Sequence, residues 1–332
     1  MAKPVAAVDK SSDRYGYTSS EQLTRRTPVQ KFLHNFKRNW QLHLMIALPL
    51  AYIIIFAYLP MYGIQIAFRD YNIKTGITGS PWVGLQHFFT FFSDRQWSRY
   101  VGNTLTISLY SLAAGFPIPI ILALFLHVNE HPTLKKVTQN ISYIPHFISV
   151  VILIGIMNTV LNPISGMPGA ISRAFGWSYM DDIRGSEAAV RHLYVWSGVW
   201  QTMGWSSIIY VSALTAVPDD LHEAAKLDGA SRLRRVWSVD LPTILPTIAI
   251  MLIMRFGSVM SVGYQKAWLM RNSGNLAVSE IISTYVYARG LGKMEYSYGS
   301  AVGLMNSVVN TTMTLVVNWI TNRLTDNEMG LF

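Results

Sequence analysis

Few side chains in this sequence have the types and spacing that metal or acid–base chemistry requires. His127 and His131 are four residues apart and could share one helix face, but no third ligand is evident, so we interpret the pair as structural. Asp181 and Asp182 form a carboxylate pair with Arg184 close by. That setting is more typical of a solvated loop or a partner contact than of general acid–base catalysis.

Phosphate-binding and thiol chemistry are not expected either. Gly292-Lys293 is followed by Met294, and no G-x-x-x-x-G-K-[ST] loop occurs that could cradle ATP phosphates. The sequence has no cysteine, which excludes disulfides, thiolate metal sites and cysteine nucleophiles. We therefore expect no catalytic residue, no bound cofactor and no metal ion in this chain.

The elements that position the remaining polar residues are apolar helices. Of the 332 residues, 51% are hydrophobic and 14% are charged, whereas soluble domains carry about 25% charged residues. A helix that rises about 1.5 Å per residue needs about 20 apolar residues to cross a hydrocarbon core of about 30 Å. The pattern predicts an all-α polytopic membrane protein with six transmembrane helices, at 44–64, 103–126, 141–161, 193–217, 244–264 and 298–320.

The basic residues predict how these spans are oriented. Loops on the same side as the N-terminus hold 15 Lys and Arg residues, against 11 on the opposite side. Because positively charged loops stay in the cytoplasm, both termini are predicted to be cytoplasmic (N-in/C-in). The net charge of +9 is then explained by inner loops and not by nucleic-acid binding. The basic cluster before the first span consists of Arg25, Arg26, Lys31, Lys37 and Arg38.

The sequence predicts four segments. Residues 1–42 form a basic cytoplasmic arm, in which 29–40 has the pattern of an amphipathic helix lying on membrane lipid. The other segments are 43–101, with the first span and a long outer loop, 102–322, with the other five spans, and 323–332, a cytoplasmic tail.

A charged hairpin, residues 218–243, interrupts the apolar sequence between the fourth and fifth spans, on the cytoplasmic side. A helix is predicted over 219–228. Asp219 or Asp220 would cap this helix, Asp220 in a capping-box-like pair with Glu223, and Gly229 in a left-handed conformation would end it.

The second half of the hairpin is predicted to be a short helix that Ser231 caps and that runs to about Asp240. Leu241-Pro242 would then turn the chain back into the membrane. From the residue types alone, a hairpin that rests on lipid headgroups stays an alternative.

The spacing in this hairpin resembles the EAA loop of permease subunits of binding-protein-dependent ABC importers. That loop reads Glu-Ala-Ala, three residues, Gly, nine residues, Ile-x-Leu-Pro, and the only departure here is Val239 in place of Ile. The resemblance depends on seven residues: Glu223, Ala224, Ala225, Asp228, Gly229, Leu241 and Pro242. It implies that these residues contact an ATPase.

The likeness covers about residues 40–325, and it is closest to carbohydrate-uptake permeases for complex oligosaccharides and polysaccharides, such as alginate. It implies a non-catalytic, multi-pass subunit of the bacterial cytoplasmic (inner) membrane. Its partners would be a second permease subunit, a cytoplasmic ATPase dimer that uses ATP and Mg²⁺, and an extracytoplasmic sugar-binding protein. The similar stretches are 60–72, 80–88, 103–126 and 141–149.

The same resemblance implies roles within the hairpin. Glu223 would pair with a basic residue of the ATPase, Ala224 and Ala225 would pack closely against it, and Gly229 would permit the turn. Closure of the ATPase pair would then move these helices together and switch the pore from inward-facing to outward-facing.

A carbohydrate pathway needs hydrogen-bonding groups beside flat apolar surfaces. Arg255 is the only charged residue inside a predicted span, and such a charge must meet water, a partner or a substrate. Lining the pathway is favoured over snorkelling or ion pairing, and Arg255 with Lys266 could hold the carboxylates of a polyuronate. The candidate pore and substrate residues are Trp196, Trp200, Gln201, Trp205, Arg255, Asn306 and Asn310, with helix packing or a lipid interface as the alternative for each tryptophan.

An integral-membrane enzyme of polysaccharide assembly is the alternative function. It would also combine many spans with abundant aromatic residues. Such an enzyme needs an acidic motif at the membrane or a His/Asp set in a large loop, and the sequence offers no convincing example of either.

Overall fold

The computed structural model describes residues 36–177 and 181–324. The predicted amphipathic helix at 29–40 and the tail at 323–332 lie largely outside the described residues. The chain divides into two compact units, Met1–Gly63 and Ile64–Phe332. The four segments predicted above are defined by spans and loops in the sequence and not by compactness, so they stay a prediction.

The first unit contains helix α1, Trp40–Ile53. A π-helical turn, Ile54–Tyr58, continues it, and a 3-10 segment, Leu59–Phe68, leads into the second unit. Pro49 lies inside α1. A proline is tolerated in a transmembrane helix because the helix can adjust its local backbone hydrogen bonding around the proline.

The second unit is helical, and the part of it that the structure describes contains no β-strand, only an isolated antiparallel bridge between Arg69 and Trp82. Its helices are α2 (Gly76–Gly79), α3 (Gln86–Ser93), α4 (Trp97–Gly115), α5 (Pro117–Val128), α6 (Pro132–Tyr143), α7 (Val150–Val160), α8 (Met167–Phe175), α9 (Glu187–Leu214), α10 (Asp219–Leu227), α11 (Arg232–Arg235), α12 (Leu241–Phe256), α13 (Tyr264–Met270), α14 (Leu276–Ser279), α15 (Ile282–Val286) and α16 (Tyr296–Leu324). A 3-10 turn (Ile144–Phe147) and two π-helical segments (Val236–Asp240 and Tyr287–Gly292) join some of them.

Four helical stretches among these residues are long and apolar enough to cross a membrane, and a bent pair makes a fifth if it is counted as one span. This confirms an all-helical protein with several apolar helices, while the count of six spans and their orientation stay predictions. The four stretches are Trp40–Phe68, Trp97–Val128, Arg232–Phe256 and Tyr296–Arg323, and the bent pair is Pro132–Phe147 with Val150–Val160.

The predicted third span, 141–161, is not one straight helix. The chain bends by 101° between Phe147 and Val150. The Oγ of Ser149 accepts a hydrogen bond from the N–H of Ile152 at 3.3 Å and so begins α7. A serine in extended conformation that caps the start of a helix marks the boundary between two helices. The sequence did not reveal this boundary because the whole stretch is apolar.

The predicted fourth span, 193–217, falls in α9 as far as Leu214, but α9, which has 28 residues, is not among the apolar stretches. Its length of about 42 Å exceeds a bilayer core, but Glu187, Arg191 and His192 lie in its first turns and Gln201 in its middle. The helix occupies the centre of the second unit, where it packs against α4, α5, α6 and α12. A helix surrounded by protein can hold polar side chains that a helix surrounded by lipid cannot.

Two apolar clusters hold the helices around α9 in place. One joins α5, α9 and α12, and its buried members are Ile120, Ala123, Tyr210, Leu214 and Ile244. The other joins α3, α4, α15 and α16 with the loop after α12, and its buried members are Phe91, Tyr100, Val259, Met260, Ile282, Tyr285, Tyr298 and Val302. These clusters leave α10 at one edge of the unit and a polar space beside α9.

Candidate functional site

The hairpin begins with α10, whose N-cap is Pro218. The predicted capping by Asp219 or Asp220 is therefore wrong, and proline itself has no side-chain acceptor to cap the helix. Asp219 and Asp220 lie inside the first helical turn instead. Acidic residues in the first turn lie near the positive end of the helix dipole, which stabilises the helix without a capping bond.

Gly229 ends α10 in a left-handed conformation, with φ of +73°, as predicted. The N–H of Gly229 donates to the carbonyl of Lys226 at 3.0 Å, and the N–H of Ala230 donates to that of Ala225 at 2.9 Å. The predicted cap of the next helix is also present, since the Oγ of Ser231 accepts from the N–H of Arg234 at 3.4 Å.

The second half of the hairpin differs from the prediction. Leu241-Pro242 does not turn the chain, because Arg232–Phe256 is one continuous helical stretch. A π-helical segment, Val236–Asp240, lies directly before Leu241-Pro242. The wider turn accommodates a residue that lacks an N–H donor and would break a regular α-helix. The turn between α10 and α11 therefore lies at Gly229, and no second turn follows at Pro242.

The hairpin presents most of its side chains outward. Glu223, Ala224, Asp228 and Pro242 are exposed, and Ala225 and Leu241 are half-buried. Apolar side chains are exposed beside them: Leu227 is 89% exposed, Leu233 70% and Trp237 66%. An acidic group and small alanines within an exposed apolar surface are typical of a protein interaction site.

The expected histidine pair does not form. α5 ends at Val128 and His131 occupies the N-cap of α6, so His127 and His131 do not share a helix face. His127 lies instead beside His222 and Asp240, within 3.5 Å of the Asp240 carboxylate. Sequence reasoning missed this cluster because its members come from three separate stretches.

A polar cavity of about 310 Å³ lies between α4, α9 and the segment that connects α12 with α13. It brings together Gln201, Arg255 and Lys266. The Nε2 of Gln201 donates to the carbonyl of Ile148 at 2.7 Å, and the Nη2 of Arg255 lies 3.4 Å from the Oγ of Ser206. The Arg255 guanidinium is exposed and largely available for other contacts.

Lys266 is held deeper in the wall of this cavity. Its Nζ donates to the carbonyl of Tyr194 at 2.7 Å and lies 4.7 Å from the centre of the Tyr194 ring. Burial lowers the pKa of the Lys266 ammonium to about 8. A Cβ atom on Gly198 would lie 3.1 Å from this Nζ, so glycine makes room for the ammonium group.

The three candidate tryptophans do not line the 310 Å³ cavity. Trp196 donates its Nε1–H to the hydroxyl of Tyr110 at 2.8 Å. Trp205 stacks on His146 with ring centres 4.5 Å apart, and it borders a second cavity of about 200 Å³ that also reaches Arg255. Trp200 is 45% exposed.

Asn306 and Asn310 on α16 bind the segment that follows α12. The N–H of Met260 donates to Asn310 Oδ1 at 2.8 Å, and Asn310 Nδ2 donates to the Oγ of Ser261 at 2.8 Å. Asn306 Nδ2 donates to the carbonyl of Met260 at 3.2 Å. These amides therefore hold the segment that carries Ser258 and Ser261 in the cavity wall.

Several charged residues of the loops on the predicted outer side are paired. Hydrogen bonds from Arg184 hold the pKa of Asp182 below its usual range, which supports a structural carboxylate. Arg289 donates to Glu295 and to the hydroxyl of Tyr285, each at 2.8 Å, and the same hydroxyl donates to Asp94 at 2.8 Å. The sequence showed no sign of this network, because Asp94 lies far along the chain from its partners.

Comparison with known proteins then decides the family. Residues 115–326 match the family described as the binding-protein-dependent transport system inner membrane component. The chain belongs to this family. The match includes the whole hairpin at 218–243 and confirms the relationship that its spacing indicated.

This inner-membrane transport component has similar relatives in Bacillus subtilis (strain 168). It is 38% identical to the polygalacturonan/rhamnogalacturonan transport system permease protein YteP over 88% of this chain and 90% of the relative. It is 36% identical to protein LplB, over 89% of this chain and 92% of that protein.

A solved structure has the same fold. It is a chain of a bacterial ABC transporter involved in the import of the acidic polysaccharide alginate, with a TM-score of 0.81 and 34% identity. The match covers 89% of this chain and 99% of that chain. A second structure of such a transporter, in complex with an alginate pentasaccharide-bound periplasmic protein, has the same TM-score and covers 90% of this chain and 99% of that one.

Proposed function

We propose that this chain is the non-catalytic permease subunit of an ATP-driven ABC importer for acidic oligosaccharides or polysaccharides, with alginate as a candidate substrate. It would form half of the translocation pathway, alongside a second permease subunit. Six spans with both termini in the cytoplasm would place the hairpin at a cytoplasmic ATPase dimer, and the opposite face at an extracytoplasmic binding protein.

The polar cavity beside α9 carries this proposal. Arg255 and Lys266 both border it, and no carboxylate is among the described residues that line it. Two cations that no lining acid neutralises favour an anionic ligand. A guanidinium and an ammonium can each bind a sugar carboxylate by charge-assisted hydrogen bonds.

The remaining walls suit the sugar ring. Gln201, Thr202 and several serines offer donors and acceptors for hydroxyl groups, while Val199 and Phe116 offer apolar surface. The volume of about 310 Å³ falls at the lower end of small-molecule sites, which span about 300–1,000 Å³. The cavity is therefore matched to one or two sugar units of a longer chain passing through.

The names of similar proteins support the same chemistry. One relative is named for polygalacturonan and rhamnogalacturonan transport, and one similar solved transporter for import of an acidic polysaccharide. Sugars with carboxylates are the common feature. We extend that class of substrate, and not a particular polymer, to this chain.

The hairpin supplies the proposed link to ATP hydrolysis. α10 would dock in a cleft of the ATPase, with Glu223 meeting a basic residue and Ala224 and Ala225 allowing close approach of the two backbones. α11 continues through the π-helical segment into α12, and Arg255 lies near the end of that same stretch. Movement of the hairpin would therefore be transmitted by a continuous helix to the wall of the cavity.

The test uses the complete importer, reconstituted with its second permease, ATPase and binding protein. Uptake of an acidic and a neutral oligosaccharide is compared for the wild type, for the double variant Arg255→Gln/Lys266→Gln and for the control Lys293→Gln, an exposed outer-loop lysine. A hydrogen bond to a charged group contributes about 1.5–3 kcal/mol, so acidic uptake should fall by about 10-fold or more in the double variant.

The control variant should transport like the wild type. Equal loss of acidic and neutral uptake in the double variant would contradict a carboxylate-binding role. Transport of neutral sugars alone by the wild type would contradict the proposed substrate class.

A further inference from the structure

Three potential metal ligands converge at the foot of the hairpin, outside the polar cavity. His127 lies at the end of α5, His222 in α10 and Asp240 in the π-helical segment before α12. One ligand atom from each residue lies within 4.8 Å of the others. The chain therefore brings two imidazoles and one carboxylate together from three separate elements.

Burial distinguishes this cluster from ordinary surface charge. The side chain of Asp240 is 1% exposed and that of His222 is 17% exposed. Within the part of the chain that the structure describes, neither Asp240 Oδ1 nor His222 Nε2 makes a hydrogen bond of good geometry, although these atoms are 3.1 Å apart. A buried carboxylate oxygen without a hydrogen bond is costly, and a cation would satisfy it.

The two distances to Asp240 Oδ1 are close to those expected around a small tetrahedral cation. Ligand atoms at about 2.0–2.2 Å from Zn²⁺ lie about 3.3–3.6 Å from one another in a tetrahedral site. The Asp240 Oδ1 lies 3.1 Å from His222 Nε2 and 3.5 Å from His127 Nε2. Two imidazoles and a carboxylate suit Zn²⁺ and its neighbours in the first transition row, and are a poor set for Ca²⁺ or Mg²⁺, which prefer oxygen ligands.

We propose that His127, His222 and Asp240 form a binding site for a divalent transition cation, with Zn²⁺ as the best match. A cavity of about 180 Å³ opens beside the three ligands and leaves space for water as a fourth ligand. The expectation of no metal ion rested on the absence of cysteine and of a third ligand for His127 and His131, and the structure gives His127 other partners.

The surrounding charge permits a cation. Lys226, Arg232 and Arg235 border the same cavity, but Asp219 and Glu130 border it as well. Arg232 is paired with Glu130 at 2.9 Å. With Asp240 included, three carboxylates balance three basic side chains, so no net positive charge opposes the metal.

A bound cation would connect α10 to α5 and to the foot of α12. His222 directly precedes Glu223, so the site would fix the first turns of α10 relative to the helices behind it. This role concerns metal binding and the position of the hairpin, and it does not depend on which sugar, if any, the chain transports.

Metal binding is measured on the full-length chain without an affinity tag, purified in detergent and treated with a chelator. Calorimetric titration with Zn²⁺ should show one saturable site per chain. His222→Gln and Asp240→Asn should each weaken binding by about 100-fold or more, because losing even a supporting group around a metal costs about 10–100-fold. His131→Gln is the matched control and should bind like the wild type.

Co²⁺ provides a second measurement, because a four-coordinate Co²⁺ site with His and carboxylate ligands gives visible absorption that His222→Gln should remove. Size-exclusion chromatography establishes that each variant is folded, and His127→Gln replaces any variant that is not. Absence of a saturable site, or binding that is unchanged in the ligand variants, would overturn the proposal and leave a His–Asp ion pair. Neither result would bear on sugar transport.

Discussion

The hairpin and the polar cavity are built in opposite ways. The hairpin is one contiguous stretch, 218–243, whose key side chains are exposed and whose shape depends on Gly229. The cavity is assembled from α4, α9 and the segment after α12, and Lys266 in its wall is 8% exposed. One region depends on local backbone geometry and the other on the packing of distant helices.

The difference explains what each region can tolerate. A local change in the hairpin should alter a surface without unfolding the unit behind it. A change at a helix crossing should disturb the cavity even when it lies far from the polar residues. Substitutions can therefore distinguish the two regions. A change in the hairpin should reduce function, whereas a change at a helix crossing near the cavity should reduce stability.

The largest effect is expected at Gly204, where α9 crosses α6. A Cβ atom at this position would overlap the carbonyl group of Ser142, which belongs to the backbone and cannot move easily. Gly204→Ala should lower the free energy of unfolding by about 3 kcal/mol or more. Thermal unfolding of the detergent-purified chain measures this loss.

The matched control is Gly155→Ala in α7, where a Cβ atom would meet nothing within 4 Å. That variant should be neutral or more stable by up to about 1 kcal/mol, because alanine favours a helix over glycine. Equal stability of the two variants would show that the α9–α6 crossing does not support the cavity.

A smaller and more local effect is expected at Gly229. Its φ of +73° disfavours a β-branched residue, although a Cβ atom would meet nothing within 4 Å. Gly229→Val should cost about 1–2 kcal/mol within the hairpin and reduce sugar-stimulated ATP hydrolysis several-fold. Overall thermal stability should change much less than in Gly204→Ala.

Gly229→Asn is the control, because asparagine tolerates the left-handed conformation better than other residues with a side chain. It should keep most of the coupled ATP hydrolysis. If valine and asparagine behaved alike, backbone conformation at this turn would not matter for coupling.

The smallest effect is expected from the charge of Lys266. Since its pKa is lowered to about 8, the ammonium should lose its proton as the pH rises through about 8, and binding of acidic sugar should weaken a few-fold between pH 7 and pH 9. The free lysine in the unfolded state stays protonated up to its usual pKa of 10.5, so this group makes the free energy of unfolding rise as the pH goes from about 8 to 10.5.

Lys266→Arg isolates this effect, because arginine stays charged throughout that range. Binding of the acidic oligosaccharide to the complete importer, measured from pH 7 to pH 9, should depend less on pH in the variant. An identical pH dependence in both proteins would contradict a titrating Lys266.

Sequence reasoning succeeded where the signal was local. The spacing from Glu223 to Pro242 identified the family, and the type of residue at 229 and 231 predicted the turn and the second cap. It erred where a neighbouring residue changed a local rule: Pro218 takes the N-cap, and the π-helical segment removes the break expected at Pro242.

The candidate site was predicted only in part because it depends on tertiary contacts. Gln201, Arg255 and Lys266 share a cavity although they are far apart in sequence. Asn310 was selected as a pore residue, and its amide binds residues 260 and 261 in this structure. The cluster of His127, His222 and Asp240 left no pattern in the sequence at all.

In the proposed function, α10 contacts a partner ATPase. The chain contains no cysteine, so Ala224→Cys introduces a single thiol at an exposed position of α10. A photoreactive benzophenone attached to that thiol, in an importer whose partner subunits lack reactive cysteines, reports which subunit lies beside the helix. Lys293→Cys, exposed in the predicted outer loop, provides the control.

Illumination should join the Ala224→Cys chain to the ATPase subunit, while the Lys293→Cys chain should form no such adduct. An intact importer in which Ala224→Cys gives no ATPase adduct, or in which both positions give equal amounts, would contradict the account.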